Sequence, residues 1–482
     1  MKKERFKSFV LIVLLIISVL QMGIIWSNDD HSSPFYFAAR MLNIPGSWPE
    51  RAAAEAPGWN PDAKHILLNP FRVSLSTGDE HYIVPRNSEG FASIKDTVYS
   101  LFEEALEGRA QRRDLPEGAW ETIVSRRSIL FEFKMPIPLD VIKWGIDFYN
   151  VSSGAPADIY KVLIIPREGA GVGFYILTST GVIHFLPRTV TVAEIERLYA
   201  AALEAIDVDN MNVIKYAMVH EFGGHAYPGF RGDVKGNIYG RQSTIFRNLK
   251  HAVPFFVRSA EFANTVLGDD INSYSRQNEG VNNTMIFKNF SNLYRFHGSG
   301  LMEYSFIPTV SPHDKGDIFL ALSQSMTFIQ RIKNDLLREP ELYLSGISQD
   351  EASWQFTFDY IFGDFPVFFY NETVMMDEVL VQDNALVIRA NGKRAISCRW
   401  VLVDMFFGND IRELQTAFDT IDVTNFSRMS VDDISIVYHF DMTDEGRQPG
   451  EGASIRPAWP VWRIEGPGGE AQFVPLRETR GN

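Results

Sequence analysis

A chain of 482 residues with 45% hydrophobic and 13% aromatic side chains is too apolar to be disordered, and it is long enough for about three domains. Its 46 Lys and Arg against 60 Asp and Glu give a net charge of −14, which argues against nucleic acid and anionic lipid as ligands. The single cysteine, Cys398, excludes an intrachain disulfide, so the domains depend on their apolar cores.

The first 26 residues predict a membrane anchor. Residues 1–8 are rich in Lys and Arg, and residues 9–26 carry no charge. Eighteen helical residues span about 27 Å, close to the roughly 30 Å of a bilayer's hydrocarbon core. The basic flank keeps residues 1–8 in the cytoplasm and places everything after Trp26 outside. The run is too long for a cleaved signal peptide and lacks a small-residue cleavage site, so an uncleaved anchor is favoured over a cleaved signal or a buried soluble helix.

The predicted membrane helix has one face that suits a partner helix. Ser18 and Gln21 are its clearly polar side chains, and Leu14 and Ile25 extend the same face at helical spacing. A glutamine in hydrocarbon is costly unless another helix supplies a hydrogen-bond partner. The alternative is that Gln21 lies near the outer boundary and reaches the headgroups. We expect these four residues to form an interface with a partner helix.

Residues 27–64, punctuated by prolines, predict a connector, and residues 65–205 predict an N-terminal α/β domain. Thr191 is expected to cap a helix, with Glu194 at the position that completes a capping box. The alternating and helical patterns predict strands at 70–76, 81–85, 128–134, 160–166, 173–179 and 182–187, and helices at 93–106 and 191–205, with a short helix after residue 136.

Residues 206–311 form a predicted middle domain and residues 312–482 a C-terminal α/β domain that should fold alone. Asn391 and Gly392, between two apolar runs, predict a hairpin. Trp459 is expected to be buried in this domain. Helices are predicted at 212–222, 254–267, 317–337 and 411–421, and strands at 285–290, 292–307 with a turn at 298–300, 354–362, 433–441 and 460–466.

An aromatic stripe runs along the predicted strand 354–362. Its side chains alternate with polar ones, as on a strand with one buried face. The stripe could be a ligand platform, but period-2 aromatic patterns are more typical of a core, and we expect core. Its members are Trp354, Phe356, Phe358, Tyr360 and Phe362.

One motif resembles a zinc-hydrolase signature. A zincin needs His-Glu-x-x-His, so that two histidines four residues apart lie on one helical face. Here His220 and Glu221 are followed by His225, five residues after His220, and Gly224 stands at the required position. Two residues five apart lie roughly 140° apart around a helix. We therefore expect no metal site, no catalytic residues and no cofactor, since nucleotide-binding and serine-hydrolase motifs are also missing from the sequence.

Several segments together resemble the YycH family. They are residues 1–26, FEFKMPIPLDVIKW, TMIFKNFSNLYRFHGSGLMEY, FTFDYIFGDFPVFF and ISIVYHFDMTDEGRQPGEGASIRPAWPVWRIEG. The last two segments are also similar to YycI, the sister protein, whose C-terminal part is similar to PepSY-type modules. Residues 208–252 match no pattern of the family.

The resemblance implies a non-enzymatic regulator of the YycG (WalK) sensor histidine kinase, which senses the state of the cell wall in low-GC Gram-positive bacteria. Such proteins form a complex with YycI and the kinase through their membrane helices. No catalytic, metal or cofactor residues carry over from this family. The expected fold is a membrane helix followed by an extracellular multi-domain α+β region with antiparallel sheets and a PepSY/YycI-like C-terminal domain.

Two rival functions stay open from the sequence. One is a binding module for a cell-wall ligand, and the other is a membrane-tethered metallohydrolase that would use the histidines discussed above. Binding of peptidoglycan fragments would favour the first, and bound metal the second.

Overall fold

A computed structural model of the chain describes residues 66–478 apart from segments 79–80, 117, 125, 146–154, 170, 207–215, 220–224, 229–244, 280–283, 298–299, 338–339, 376–377, 383, 416–432, 442–457 and 466–470. Asn60–Asn482 forms one compact unit. Among the residues described, no helix is both long and apolar enough to cross a bilayer. The predicted span and its face of Leu14, Ser18, Gln21 and Ile25 lie outside the described residues, as does the connector.

The N-terminal part, as far as it is described, is a seven-stranded antiparallel sheet with four helices. The strands are β1 (Arg72–Ser76), β2 (His81–Ile83), β3 (Gln111–Asp114), β4 (Ser128–Pro138), β5 (Asp158–Glu168), β6 (Gly171–Thr178) and β7 (Gly181–Leu186), and the helices are α1 (Glu89–Leu106), α2 (Ala119–Val124), α3 (Leu139–Gly145) and α4 (Val192–Ala205). In the sheet the order is β2-β1-β4-β5-β6-β7-β3. The six predicted strands and three predicted helices of this region are confirmed. Strand β3 and helix α2 were not predicted.

Helices α1 and α4 cover one face of this sheet and pack against each other. Gly90 permits their close approach, because a Cβ there would lie 3.0 Å from the Cα of Ala202. The predicted capping box of α4 is present: Thr191 Oγ1 accepts the N–H of Glu194, and Glu194 Oε2 accepts the N–H of Thr191. On the opposite face, α2 contributes Trp120 to an apolar cluster.

The rest of the described chain is mostly strand. Its strands are β8 (Tyr216–Val219), β9 (His225–Pro228), β10 (Ile245–Phe256), β11 (Ser275–Glu279), β12 (Thr284–Lys288), β13 (Asn292–Phe296), β14 (Leu301–Phe306), β15 (Glu341–Gln349), β16 (Trp354–Phe362), β17 (Phe365–Met375), β18 (Glu378–Gln382), β19 (Leu386–Ala390), β20 (Ala395–Val401), β21 (Val403–Gln415), β22 (Asp433–Asp441), β23 (Pro460–Glu465), β24 (Ala471–Pro475) and β25 (Arg477–Glu478). Helix α5 (Ser259–Phe262) continues as a π-helical turn, Ala263–Leu267, and α6 spans Ile318–Leu336.

A large sheet runs through the middle and C-terminal regions in the order β11-β12-β13-β14-β20-β19-β16-β17-β22-β23-β24. Strand β15 adds to β16 and strand β18 to β17. Within the described part, β17 and β22 pair in parallel and the other neighbours are antiparallel. The expectation of mixed α/β structure with antiparallel sheets is confirmed. The sheet is continuous across residue 312, and separate folding of residues 312–482 stays a prediction.

The core of this large sheet lies beneath helix α6. Asp317 caps the helix through a hydrogen bond from the N–H of Leu320 to Oδ1 (2.8 Å), and the helix packs on β16, β19 and β20. The predicted aromatic stripe is core, as expected, except that Trp354 at the strand's start is only half-buried. Trp400 is fully buried and donates its indole N–H to Tyr360 Oη (2.7 Å). The interpretation of the stripe as core is therefore confirmed.

The hairpin at Asn391 and Gly392 is confirmed. Its glycine is needed for a close approach to another loop, not for a left-handed backbone conformation. Asn391 Oδ1 accepts the N–H groups of Lys393 and Arg394 (2.9 Å each) across a four-residue loop. Gly392 lies against Gly316, where a Cβ on Gly392 would be 3.1 Å from the other Cα. The N–H of Gly392 donates to the carbonyl oxygen of Lys315 (2.9 Å), so the glycine brings the hairpin onto the loop before α6.

Three helix predictions fail wholly or in part. Residues 212–222 were expected to be helical, yet 216–219 form β8, which pairs with β9. Residues 411–415 of the predicted helix 411–421 are the end of β21, which pairs along β10 in a three-stranded sheet completed by β25. Residues 254–256 extend β10, and only from 259 is that predicted helix present. In each case pairing with another strand overrides a local helical period.

Candidate functional site at the seam between two sheets

The seven-stranded sheet and the large sheet meet along a seam formed by β1 and β4 on one side and β15, β17 and β22 on the other. The rings of Phe71 and Tyr343 lie 5.8 Å apart across it. Asn69 Nδ2 donates to Glu341 Oε2 at 3.1 Å, which adds a polar contact at the same place. The seam joins parts of the chain that were predicted to be separate domains.

Arg86 holds the end of the seam together. Its Nη1 donates to the carbonyl of Pro70 (2.8 Å) and its Nη2 to Asn69 Oδ1 (2.6 Å). Its backbone N–H donates to Asp364 Oδ1 (2.8 Å) on the opposite sheet, and Glu341 lies 3.5 Å from Nη2. Burial lowers the pKa of the Arg86 guanidinium, opposed by the charge of Glu341. Arg86 thus makes contacts on both sides of the seam through three donor groups, two guanidinium nitrogens and its backbone N–H.

Three charged side chains lie buried in the adjoining part of the seven-stranded sheet. Glu132 on β4 accepts from Arg72 Nε (2.8 Å, Oε2) and lies 3.2 Å from Lys161 Nζ (Oε1). Their exposed fractions are 7% for Arg72, 2% for Glu132 and 1% for Lys161. The register explains the meeting, because Arg72 is opposite Glu132 and Glu132 is opposite Lys161 on neighbouring strands. Two cations share one carboxylate in a site of low dielectric.

A cleft opens at the seam beside Arg72. It encloses about 30 Å³, room for one or two water molecules or for the head of a small ligand. Most of its wall is apolar, and Ser435 on β22 contributes a hydroxyl that has no hydrogen-bond partner within the described structure. The lining consists of Phe71, Arg72, Val73, Ile83, Val84, Arg86, Phe91, Asp364, Phe365, Pro366, Ser435 and Ile436.

Asp359 is a buried carboxyl of the large sheet, opposite Tyr343 in the β15–β16 register. Burial raises its pKa, although the Nδ2 of Asn384 (3.1 Å) and the N–H of Ala385 (3.2 Å) both donate to Oδ1. The carboxyl therefore takes up a proton more readily than an exposed aspartate. Its contacts hold a loop in place, which is a structural role.

Among the residues that the structure describes, Thr284, His297 and Glu303 come nearest to a catalytic triad, and no sequence motif marks them. Thr284 Oγ1 lies 3.3 Å from His297 Nδ1, and His297 Nε2 lies 3.1 Å from Glu303 Oε2. Thr284 is 3% exposed and His297 9%, so a substrate has no access to the hydroxyl. These side chains connect β12, β14 and the residue after β13, so their role is structural.

The described residues on either side of the zincin-like motif's centre are strands. His225 begins β9, opposite Val219 at the end of β8, while His220 and Glu221 lie outside the described residues. Among the residues that are described, His, Cys, Asp and Glu nowhere gather into a group that could hold a metal ion. The absence of a metal from the whole protein stays a prediction.

Trp459 is half-buried, not buried as expected. Its ring lies 5.1 Å from the His251 ring, and the guanidinium of Arg412 lies 4.4 Å from its centroid. Trp400 and Trp462 are the fully buried tryptophans among the residues described. The strand of this segment was predicted correctly, but its buried tryptophan is Trp462. The indole of Trp459 instead packs on the β10–β21 pair at the surface.

Comparison with known proteins identifies the fold. No family model matches the sequence, and no curated protein is significantly similar to it. The crystal structure of YycH from Bacillus subtilis is similar over 86% of this chain and 97% of that one, with a TM-score of 0.54 and 12% sequence identity. An uncharacterized protein from Eubacterium rectale covers 48% of this chain and 87% of its own at 12% identity, with a TM-score of 0.24. The chain therefore has a YycH-like fold, and the resemblance stated from the sequence is confirmed at that level.

Proposed function

We propose that this protein is a membrane-anchored, non-enzymatic regulator of a cell-wall-responsive sensor histidine kinase of the YycG/WalK type. It acts with a YycI-like partner through its membrane helix and its extracellular domain. The observation that carries the proposal is the YycH-like fold, which extends over 86% of the chain. The basic and apolar segments of residues 1–26 add an anchor of the kind such a regulator needs.

The charged groups of the seam support a role other than catalysis. Arg72, Glu132 and Lys161 are bound to one another and buried, so none of them is presented to a substrate as an available acid or base. Such groups fix the register of the strands that carry them, here β1, β4 and β5 of the seven-stranded sheet. The likeness of residues 312–482 to YycI and to PepSY-type modules belongs to the same proposal.

The class of function is tested by isolating the tagged full-length protein from membranes after mild crosslinking. We expect a sensor histidine kinase and a YycI-like protein among the captured partners. A variant whose residues 9–26 are replaced by an unrelated membrane helix serves as the control and should capture less of both. Isolation of neither partner, with the protein folded and abundant, would contradict the proposal.

Topology is tested with reporters fused after Asn482. A phosphatase that is active only outside the cytoplasm should be active, and a reporter that needs the cytoplasm should be silent. The reverse pattern would overturn the predicted orientation. Release of the mature protein without detergent would indicate a cleaved signal peptide instead of an anchor.

The membrane-helix interface is tested by Gln21→Leu in a membrane two-hybrid assay. We expect weaker association with the partner helix and unchanged insertion, because hydrogen bonds between membrane helices contribute roughly 0.6–2 kcal/mol. Ile16→Ala is the matched control, since Ile16 lies on the face opposite Leu14, Ser18, Gln21 and Ile25. Equal association of Gln21→Leu and wild type would indicate that the contact with the partner lies outside the bilayer.

A further inference from the structure

The ribbon formed by β10 and β21 exposes aromatic side chains on one of its faces. Phe255 and Phe406 are each 53% exposed. In the register of the two strands, Phe406 is opposite Val253 and Phe255 is opposite Asp404. Residues opposite each other point to the same side of an antiparallel pair, so the two rings are diagonal neighbours on one face. Together with Val253 they form an apolar patch, and such patches often mark a contact surface.

The other face of the ribbon adds a third aromatic ring and a cation. Phe407 is opposite Ala252, and its ring lies 4.3 Å from that of Phe362 while 40% of the residue stays exposed. The exposed Lys250 places its Nζ 5.5 Å from the centroid of the Phe407 ring. A phenylalanine beside a lysine suits the edge of a bilayer, where the ring enters the acyl boundary and the ammonium stays among the headgroups.

The charges near the patch favour a neutral lipid surface over an anionic one. Asp404 lies on the same face as Phe255, and its Oδ1 accepts the N–H of Met405 (3.2 Å). Farther along β21, Asp410 and Arg412 are exposed and opposite in charge, so together they add no net charge. The whole chain carries −14, which repels anionic headgroups. Contact with a bilayer therefore depends on burial of the rings, and a zwitterionic surface permits it.

The ribbon lies at the end of the large sheet where the described chain begins. The structure describes the chain from residue 66, and Asn69 donates to Glu341 at the start of β15 (3.1 Å). Strand β15 begins opposite the end of β16, and Gly363 is in the turn that follows. A Cβ on Gly363 would lie only 2.8 Å from the ring of Phe407. The predicted connector therefore joins the described structure close to the ribbon.

We propose that the β10–β21 ribbon docks on the outer surface of the membrane, with Phe255 and Phe406 at the headgroup boundary of a zwitterionic bilayer. This inference rests on the proposed function only through the anchor of residues 9–26, and it needs no kinase. The anchor makes docking an intramolecular event, so a weak apolar contact is sufficient. Docking fixes the orientation of the extracellular part on the membrane, which a connector alone does not.

Site-specific labelling of the full-length protein tests the inference. The native cysteine, Cys398, is 1% exposed, so a cysteine introduced at the surface can be labelled selectively. Phe255→Cys and Phe406→Cys, each carrying an environment-sensitive fluorophore, are reconstituted into phosphatidylcholine vesicles with or without a nitroxide on the acyl chains. We expect the nitroxide to lower the fluorescence at both positions by about half or more, because a side chain at the acyl boundary lies within its reach.

Phe290→Cys is the matched control. Phe290 is 99% exposed, more than either phenylalanine of the patch, but it lies at the other end of the large sheet. Its neighbour Asn292 is opposite Phe306 at the end of β14, whereas Gly300, directly before β14, lies against Phe256 of β10. The nitroxide should leave the fluorescence at residue 290 unchanged. Equal quenching at 290 would overturn the inference, since any exposed ring would then meet the lipid.

A second substitution and a flotation assay complete the test. Phe255→Ser in the chain labelled at residue 406 should restore most of the lost fluorescence. Flotation of the protein with the vesicles reports on the anchor separately. Protein that does not float would overturn the anchor and this inference together, whereas floating protein without quenching at 255 and 406 would overturn this inference alone. Self-quenching between chains labelled at 255, in vesicles free of nitroxide, would identify a second copy as the occupant and overturn the assignment to lipid.

Discussion

Two buried regions of this molecule are built on opposite principles. Beneath helix α6, Tyr360 and Trp400 lie in an apolar core where one hydrogen bond satisfies the indole. At the seam, Arg72, Glu132 and Lys161 lie equally deep but are charged. Burying apolar surface stabilises a fold without regard to direction, whereas a buried ion pair is favourable only at one geometry. The first region therefore supplies stability, and the second fixes the register of β1, β4 and β5 within the seven-stranded sheet.

The largest effect is expected in the apolar core. Trp400→Ala should lower the free energy of unfolding by about 3–5 kcal/mol, since it leaves a cavity at a fully buried site. Trp459→Ala is the matched control and should cost clearly less, because that ring is half-buried. Chemical denaturation of the purified protein measures both. Equal losses for the two tryptophans would show that the surface contacts with His251 and Arg412 matter as much as the core.

A slightly smaller effect is expected at the seam. Glu132→Gln should cost about 3 kcal/mol, because Arg72 and Lys161 then lie buried without their shared carboxylate. Asp114→Asn removes one partner of the surface pair with Arg112 and should cost about 0–1 kcal/mol. Denaturant midpoints of the two variants give the comparison. A loss at residue 132 no larger than at 114 would mean that the buried cations are neutralised in another way.

A packing effect of intermediate size is expected where the hairpin meets the loop before α6. Gly392→Ala should cost about 1–3 kcal/mol, because its Cβ would press on Gly316. Gly171→Ala is the control, since an added Cβ there meets nothing within 4 Å. Thermal unfolding of both variants decides the matter. A neutral Gly392→Ala would indicate that the loop moves aside without cost.

The smallest effect is a dependence on pH. Burial raises the pKa of Asp359 above its usual 3.8, so the folded state binds a proton before the unfolded state does. Its contribution therefore makes the protein more stable as the pH falls from the folded-state pKa towards 3.8, and Asp359→Asn should lack this gain. Stability curves of wild type and variant, measured between neutral pH and about pH 3, should diverge in that sense.

Asp350 provides the opposite control for that measurement. Burial alone would raise its pKa, but hydrogen bonds from Ala352 and Ser353 and the charge of Arg389 together outweigh this and lower the pKa. Its contribution to stability is present above pH 3.8 and is lost as the pH falls through the folded-state pKa. Wild type should therefore lose stability on acidification through Asp350, and Asp350→Asn should lack this loss. The same slope in both variants would contradict the assignment for Asp359.

Elements specified by local contacts could be predicted from the sequence. The predicted capping box of Thr191 and Glu194 lies within one turn of the helix it begins and is present, and the predicted helix 317–337 is present with Asp317 as its cap. Residues 411–415 also have a helical pattern, yet they pair with β10, which is far away in the sequence. Local propensity is a weak guide when a long-range partner competes, and such a partner leaves no mark within a short window.

The seam could not be predicted from the sequence, for the same reason. Arg72, Glu132 and Lys161 stand on three different strands, and only the sheet register brings them together. Ser435 reaches the cleft from β22 of the other sheet. Each residue alone looks like an ordinary polar position of a strand. The hairpin at Asn391 and Gly392 was predicted correctly, but the reason for its glycine is the distant Gly316.

The pairing of β10 with β21 sets an order of events during synthesis. Strands β1 to β7 are completed within a continuous stretch and can pair as they leave the ribosome, but β10 must wait for β21. Roughly 150 residues separate the two strands, a delay on the order of ten seconds at the usual rates of chain elongation. Until then the edge of β10 that later pairs with β21 is unpaired, and this long strand, which includes the exposed Phe255, can join a second chain. Aggregation of nascent or truncated chains should therefore begin at β10.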